Sequence, residues 1–202
     1  MQEHHGPPQP VRAHARRNRE KLLAAALEEF DRAGKDASLG GIAKAAGVGI
    51  ATLYRHFPNR ESLVLAAYRY EVDQLCSAAD DLLEAMPPNQ ALREWMKRLA
   101  SLMVTKQQMS AALQAMGPSG GGWASESYAQ VFRTVGTLVD AGVAAGTVRG
   151  DLETADVVLA MSGLLRLDVS GDWRPQADRL IGLLMDGLQT GARSPDSAAR
   201  DV

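Results

Sequence analysis

The stretch Ile42-Ala43-Lys44-Ala45-Ala46-Gly47-Val48-Gly49-Ile50-Ala51-Thr52-Leu53-Tyr54-Arg55-His56-Phe57-Pro58 ends on three adjacent side chains that can move protons or hold anions. Tyr54, Arg55 and His56 suit an active site, and they equally suit the exposed face of a short helix that grips phosphates. Gly47-Val48-Gly49 breaks the chain before them and Pro58 stops it after them, so residues 50–57 read as a short helix. At ~100° per residue, Leu53 and Phe57 fall together with Ile50 close by, and this side faces other helices. Ala51 and Arg55 point the opposite way, flanked by Thr52, Tyr54 and His56. Neighbouring helical side chains diverge by that same ~100°, so Tyr54, Arg55 and His56 cannot meet on one atom. No Asp–His, Ser–His or metal-ligand pattern elsewhere supplies a second catalytic group. A helical enzyme using Tyr54 and His56 is therefore the remote alternative, and a plain solvated face in a helical bundle is another.

The exposed face suits a DNA major groove. Ala51 and the Thr52 methyl can meet thymine methyls, the Thr52 hydroxyl can reach a base edge, and Arg55 can bridge guanine. The Tyr54 hydroxyl and the His56 ring nitrogens are suitable phosphate donors. For Arg55, base reading and backbone contact both stay open.

Upstream, Leu22, Leu23, Ala26, Leu27 and Phe30 recur at three-to-four spacing from Arg16 onward, which predicts a helix ending at Gly34. Ser38 can cap a short second helix with Leu39, Ile42, Ala43 and Ala46 on one side. Helix, helix, a glycine-containing turn of three residues and a short helix is the sequence form of a helix-turn-helix. Asn59 is placed to cap a long fourth helix that ends at Met86-Pro87-Pro88. Beyond it, residues 89–116 read as one long or interrupted helix, then 123–146, 154–167 and 175–190, with Thr154 as a cap and Pro175 in a first turn. No segment alternates like a strand. The expected fold class is all-α with about nine helices, an N-terminal three-helix DNA-binding unit followed by a helical bundle.

Charge supports that division. The 202-residue chain carries a net charge of −2, yet residues 1–69 hold 11 Lys/Arg against 7 Asp/Glu, and residues 70–202 hold 11 against 17. A basic front and an acidic back suit a nucleic-acid-facing segment joined to one that avoids nucleic acid. The one cysteine, Cys76, excludes an internal disulfide and an all-cysteine metal site, and it reads as a buried apolar side chain. His4, His5 and His14 lack a second ligand cluster, so neither a metal nor a cofactor is expected. No apolar run is long enough to span a bilayer, and residues 1–8 resemble no signal peptide, so a cytoplasmic protein is expected.

Residues 16–65, and above all Ile42-Ala43-Lys44-Ala45-Ala46-Gly47-Val48-Gly49-Ile50-Ala51-Thr52-Leu53-Tyr54-Arg55-His56-Phe57-Pro58-Asn59-Arg60-Glu61-Ser62-Leu63, strongly resemble the TetR family of one-component transcriptional regulators. Residues 149–187 resemble the C-terminal region of its SbtR-like subgroup. The resemblance implies that Thr52, Tyr54 and the variable pair Ile50 and Ala51 contact DNA, that His56 lies near a phosphate, and that Arg60 holds the backbone. Ser38 and Lys44 match the helix that steadies the recognition helix. Arg12, Arg16, Arg17 and Arg19 look like the basic arm that many members lay on phosphates or in the minor groove. Gly40-Gly41 departs from the family by replacing a polar pair, which puts base contacts from the second helix in doubt.

The Pro/Gly/His-rich residues 1–11 read as a disordered tail and residues 191–202 as a polar tail, and between them the resemblance implies a DNA-binding domain at 12–60 and a ligand-binding and dimerisation domain at 61–190. It implies a homodimeric repressor released from a palindromic operator by a small effector, with an activator or multi-target regulator as the alternative. Coupling is expected to run along the helix that begins at Arg60. Trp95, Met96, Leu99, Met103, Met109, Leu113, Met116, Trp123, Tyr128 and Phe132 gather the large adaptable side chains and are the candidate pocket for an apolar or aromatic ligand. Arg166 and Asp168 are the charged candidates. Val157, Val158, Met161, Leu164, Leu165, Ile181, Leu184 and Leu188 lie on the two most apolar helices. They are the candidate dimer interface, or else they close the protomer core.

Overall fold

The computed structural model describes residues 9–108, 123–167 and 171–191. All of their regular structure is helical: α1 Gln9–Ala33, α2 Leu39–Ala45, α3 Ile50–His56, α4 Arg60–Ala85, α5 Pro88–Gln108, α6 Trp123–Ala144, α7 Thr154–Met161 and α8 Arg174–Gln189. Two 3₁₀ turns, Gly34–Asp36 and Ser162–Arg166, follow α1 and α7. The chain folds as two compact units. Among the described residues, the first holds 9–70 with 107–108 and the second holds 71–106, 123–167 and 171–191.

Several boundaries differ from the sequence reading for identifiable reasons. α1 starts at Gln9, inside the segment expected to be a disordered tail, because Pro10 in a first turn gives up an N–H that would lack a helical partner anyway. Pro88 opens α5 for the same reason. Glu153 rather than Thr154 precedes α7, and Asp156 Oδ2 accepts the Glu153 N–H at 3.2 Å, a carboxylate cap in place of a hydroxyl one. The other caps match the sequence: Ser38 Oγ accepts from Gly41 N at 3.0 Å, and Asn59 Oδ1 from Ser62 N at 2.8 Å.

In the first unit Leu22, Leu23, Phe30, Ile42, Leu53 and Leu63 are fully buried. Arg60 ties three pieces of this unit together: it donates to the Ala37 carbonyl while its guanidinium lies 5.3 Å from the centre of the Phe30 ring.

The second unit is built on Trp95, Met96, Leu138 and Met185, all with no solvent exposure. Trp95 Nε1 donates to the Leu75 carbonyl at 2.9 Å, which satisfies the indole and fixes α5 on α4. α6 ends in a tight reversal. Gly142 O accepts from Thr147 N at 2.8 Å and from Val148 N at 3.1 Å, and Gly146 supplies the left-handed residue at φ 66°. Val148 folds back so closely that a Cβ on Gly142 would stand 2.5 Å from its Cγ2.

That contact makes a clear prediction. Gly142→Ala gains helix propensity of up to about 1 kcal/mol, but overpacking against Val148 costs about 1–3 kcal/mol, so the variant is net destabilised. A Tm lower by about 2–4 °C per kcal/mol is expected in thermal unfolding, with recovery in the double variant Gly142→Ala/Val148→Ala. An unchanged or raised Tm in the single variant refutes the close-packing account.

Candidate nucleic-acid interface

The turn between α2 and α3 sets the geometry. α2 finishes on a Schellman motif: Val48 N donates to Ala43 O at 3.0 Å, Gly47 N donates to Lys44 O at 3.1 Å, and Gly47 sits at φ 68°. Any side chain there would be strained, so the glycine is a requirement of the turn. Thr52 N then reaches Gly49 O at 2.8 Å and starts α3.

Leu53 and Phe57 plug into the first unit, at 0% and 2% exposure. Ile50 does not join them and stays 45% exposed, because it opens the helix at Gly49 with no preceding turn above it. Tyr54 is 49% exposed, Ala51 and Arg55 are exposed, and Thr52 and His56 are half-buried. The outward face therefore carries Ile50, Ala51, Thr52, Tyr54 and Arg55, with His56 at its edge beside Phe57, ring centres 6.2 Å apart. The three titratable neighbours diverge on the helix as its geometry requires.

Arg55 is folded along its own helix. Nε donates to Ala51 O at 3.3 Å and Nη2 donates to Thr52 Oγ1 at 3.1 Å. Nε and a terminal nitrogen are two donors of the fork that would bridge the O6/N7 edge of guanine. Here that fork is engaged internally, and it turns the Thr52 hydroxyl proton away from Arg55.

The other basic candidates separate into two groups. Arg16, Arg17 and Lys44 are exposed, Arg16 with only a 3.7 Å pair to Glu20. Arg19 lies over the Phe57 ring at 5.2 Å, and Arg60 is the half-buried clamp already described, so both brace the fold around α3. Ser38 spends its oxygen on the α2 cap. Gly40 has open space beyond its Cα, which leaves the start of α2 as bare backbone. Sequence reasoning missed the bracing roles; their signal was the pairing of each arginine with a phenylalanine, Phe57 and Phe30.

Among the described candidate pocket residues of the second unit, exposure varies widely. Trp95 and Met96 are fully buried, and Leu99 and Met103 nearly so. Tyr128 is 59% exposed, with its ring centre 6.2 Å from that of half-buried Phe132. Met109, Leu113 and Met116, with the side chains of Trp123, Leu165 and Arg166 and the residue Asp168, lie outside the described residues. An open cavity of about 460 Å³ lies between α4 and α5, lined by none of the described candidates.

Of the interface candidates, Val157, Met161, Leu164, Ile181 and Leu188 are buried within the protomer, while Val158 and Leu184 are half-buried. The apolar side chains that α7 and α8 leave in solvent are Leu159, at 72% exposure, and Leu183, at 71%. Cys76 is half-buried, and burial pushes its thiol pKa up against the opposing effect of a hydrogen bond with Thr134. Among the described residues no helix is long and apolar enough to cross a membrane, and no three His, Cys, Asp or Glu cluster to hold a metal ion.

Comparison with known proteins agrees with this geometry. Residues 22–67 match the bacterial regulatory proteins of the tetR family, and residues 87–190 match the C-terminal domain of SbtR-like transcriptional regulators. The TetR transcriptional regulator SCO0520 of Streptomyces coelicolor is 43% identical in sequence, with a TM-score of 0.77 over 85% of this chain and 98% of that one. A TetR transcription regulatory protein of Mycobacterium vanbaalenii is 30% identical, with a TM-score of 0.73 over 89% and 99%. The HTH-type transcriptional regulatory protein RaaS of Mycobacterium tuberculosis is 30% identical over 68% of this chain; the matched part spans 60% of that relative's length. The chain belongs to the TetR family of transcriptional regulators, with a C-terminal domain of the SbtR-like type.

Proposed function

We propose that the protein is a homodimeric repressor that a small ligand releases from a palindromic operator. The observation that carries this reading is the outward face of α3, an exposed row of short, aromatic and basic side chains on a helix seated by Leu53 and Phe57. In this reading Ile50, Ala51 and Thr52 meet base edges, while Tyr54, His56, Lys44, Arg16 and Arg17 hold phosphates. Arg55 works through Thr52: by engaging Oγ1 it turns the hydroxyl proton toward a base acceptor. Arg19 and Arg60 hold the unit's shape instead of touching DNA.

One helix-turn-helix reads few base pairs, so two copies present their recognition helices about 34–36 Å apart. Leu159 and Leu183 are the apolar anchors of that pairing. Leu159 stands among the exposed small residues Ala155, Ala160 and Gly163, and Leu183 lies opposite the buried stripe of Ala177, Ile181 and Met185. The ligand acts by its different affinity for the two arrangements of the dimer, and α4, which supplies residues to both units, is the element that carries the change.

Gel-shift titration against the DNA upstream of the protein's own gene is the direct test. Retarded palindromic fragments are expected at about 0.1 M salt, where phosphate contacts still contribute strongly, and failure with every palindromic fragment refutes the reading. Selection of bound sequences from a random pool separates the α3 roles. Thr52→Val and Arg55→Ala should relax preference at the same base position, by about 1–3 kcal/mol of discrimination. Uniform weakening by Arg55→Ala would instead make it a phosphate contact. Leu159→Glu/Leu183→Glu should sediment as a folded monomer with weakened operator binding; an unaltered dimer moves the interface elsewhere.

A further inference from the structure

Among the described residues of the first unit, two large apolar side chains stay exposed, Ile50 at 45% and Tyr54 at 49%, and both belong to α3. Four residues apart, they share one edge of its outward face. Ile50 also stands clear of its chain neighbours. Gly47 and Gly49 carry no side chain, and a Cβ built on either would meet nothing within 4 Å. Ala51, exposed beside it, offers a single methyl. The N-terminal end of α3 is therefore a carbon-rich tip. Its C-terminal end carries the Tyr54 phenol, the Arg55 guanidinium and the His56 imidazole.

That tip decides which base edges it can cover. Ile50 and Ala51 have no side-chain donor or acceptor, so they leave the O6 and N7 of guanine and the amino group of cytosine without a partner. Covering those groups with isoleucine strips their water and returns no hydrogen bond. Arg55, the side chain able to bridge guanine, is folded back on Ala51 O and Thr52 Oγ1. Thymine differs from the other bases, because its C5-methyl is the apolar group on the major-groove edge. Packing Ile50 and Ala51 against such methyls removes apolar surface from water on both partners.

We propose that Ile50 and Ala51 are specificity-determining residues that read the C5-methyl groups of neighbouring thymines in each half-site, with the Thr52 hydroxyl, oriented by Arg55, taking the polar base contact beside them. The inference rests on the reading of α3 as the DNA-facing helix and adds the class of base it selects, methyl-bearing pyrimidines in place of guanine. 5-Methylcytosine presents the same methyl, and ordinary DNA supplies it as thymine.

The test uses a duplex that the full chain selects from a random pool, titrated by fluorescence anisotropy with single thymines replaced by uracil, which differs only in lacking the methyl. Thymines at neighbouring positions are expected, and uracil at each should weaken binding about fourfold, the worth of one buried methyl. Ile50→Ala should weaken the thymine duplex and abolish its response to uracil at one position while the response at the other persists. Ile50→Val keeps a branched apolar tip and should retain most of that response. Thermal unfolding checks that both variants fold. At the position read by Ile50, a cytosine should also bind about fourfold better when methylated at C5; no gain there confines the contact to thymine. Equal affinity for thymine and uracil at every position, or a full uracil response in Ile50→Ala, overturns the proposal and leaves the DNA-binding reading standing. Failure to select any duplex overturns that reading, and this one with it.

Discussion

A helix of seven residues cannot hold its shape alone in water, because its nucleation cost is spread over too few hydrogen bonds. α3 is helical because Leu53 and Phe57, one turn apart, are both inserted into the first unit's core. That constraint fixes everything on its other side. With two buried residues on one face, Ala51, Tyr54 and Arg55 have no orientation left except outward. Gly47 makes the arrangement possible, since the reversal that aims α3 at the core needs a positive φ. Arg19 on Phe57 and Arg60 on Phe30 then close the periphery around the same seat.

Legibility in the sequence followed the physics of each feature. The helix-turn-helix was readable because its signals are local: a glycine at a left-handed position, a proline stop, caps at Ser38 and Asn59, and an apolar pair at i and i+4. The placement of Arg60 was not readable. An arginine at a helix start suits a phosphate contact, and nothing local to it signals a stack on Phe30, which depends on the packing of α1. Ile50 was misjudged by angle alone, because the helical wheel ignores the missing turn before a first residue.

The second unit was less legible because residue type reports size and polarity but not location. Trp95 and Met96 have no solvent exposure, and Trp95 is held by an indole hydrogen bond to Leu75. The groove between α4 and α5 is lined by residues that a hydropathy pattern assigns to solvent, Glu71, Gln74 and Asp81 among them. On α7 and α8 the apolar excess was plain, yet buried Ile181 and exposed Leu183 are indistinguishable without knowing which side of the helix the protomer uses.

The Arg60 clamp divides how this unit responds to ionic strength. Arg60 is half-buried, and its guanidinium is hydrogen-bonded to a backbone carbonyl and laid over Phe30, at distances well inside the Debye length of about 10 Å at 0.1 M salt. Mobile ions screen such a contact poorly because they cannot enter it. Arg16, with its side chain 77% exposed, has the opposite environment, and added salt weakens its attraction to any distant charge. The charges that face outward are thus tuned by the surrounding electrolyte, while the charge that shapes the unit is largely insulated from it.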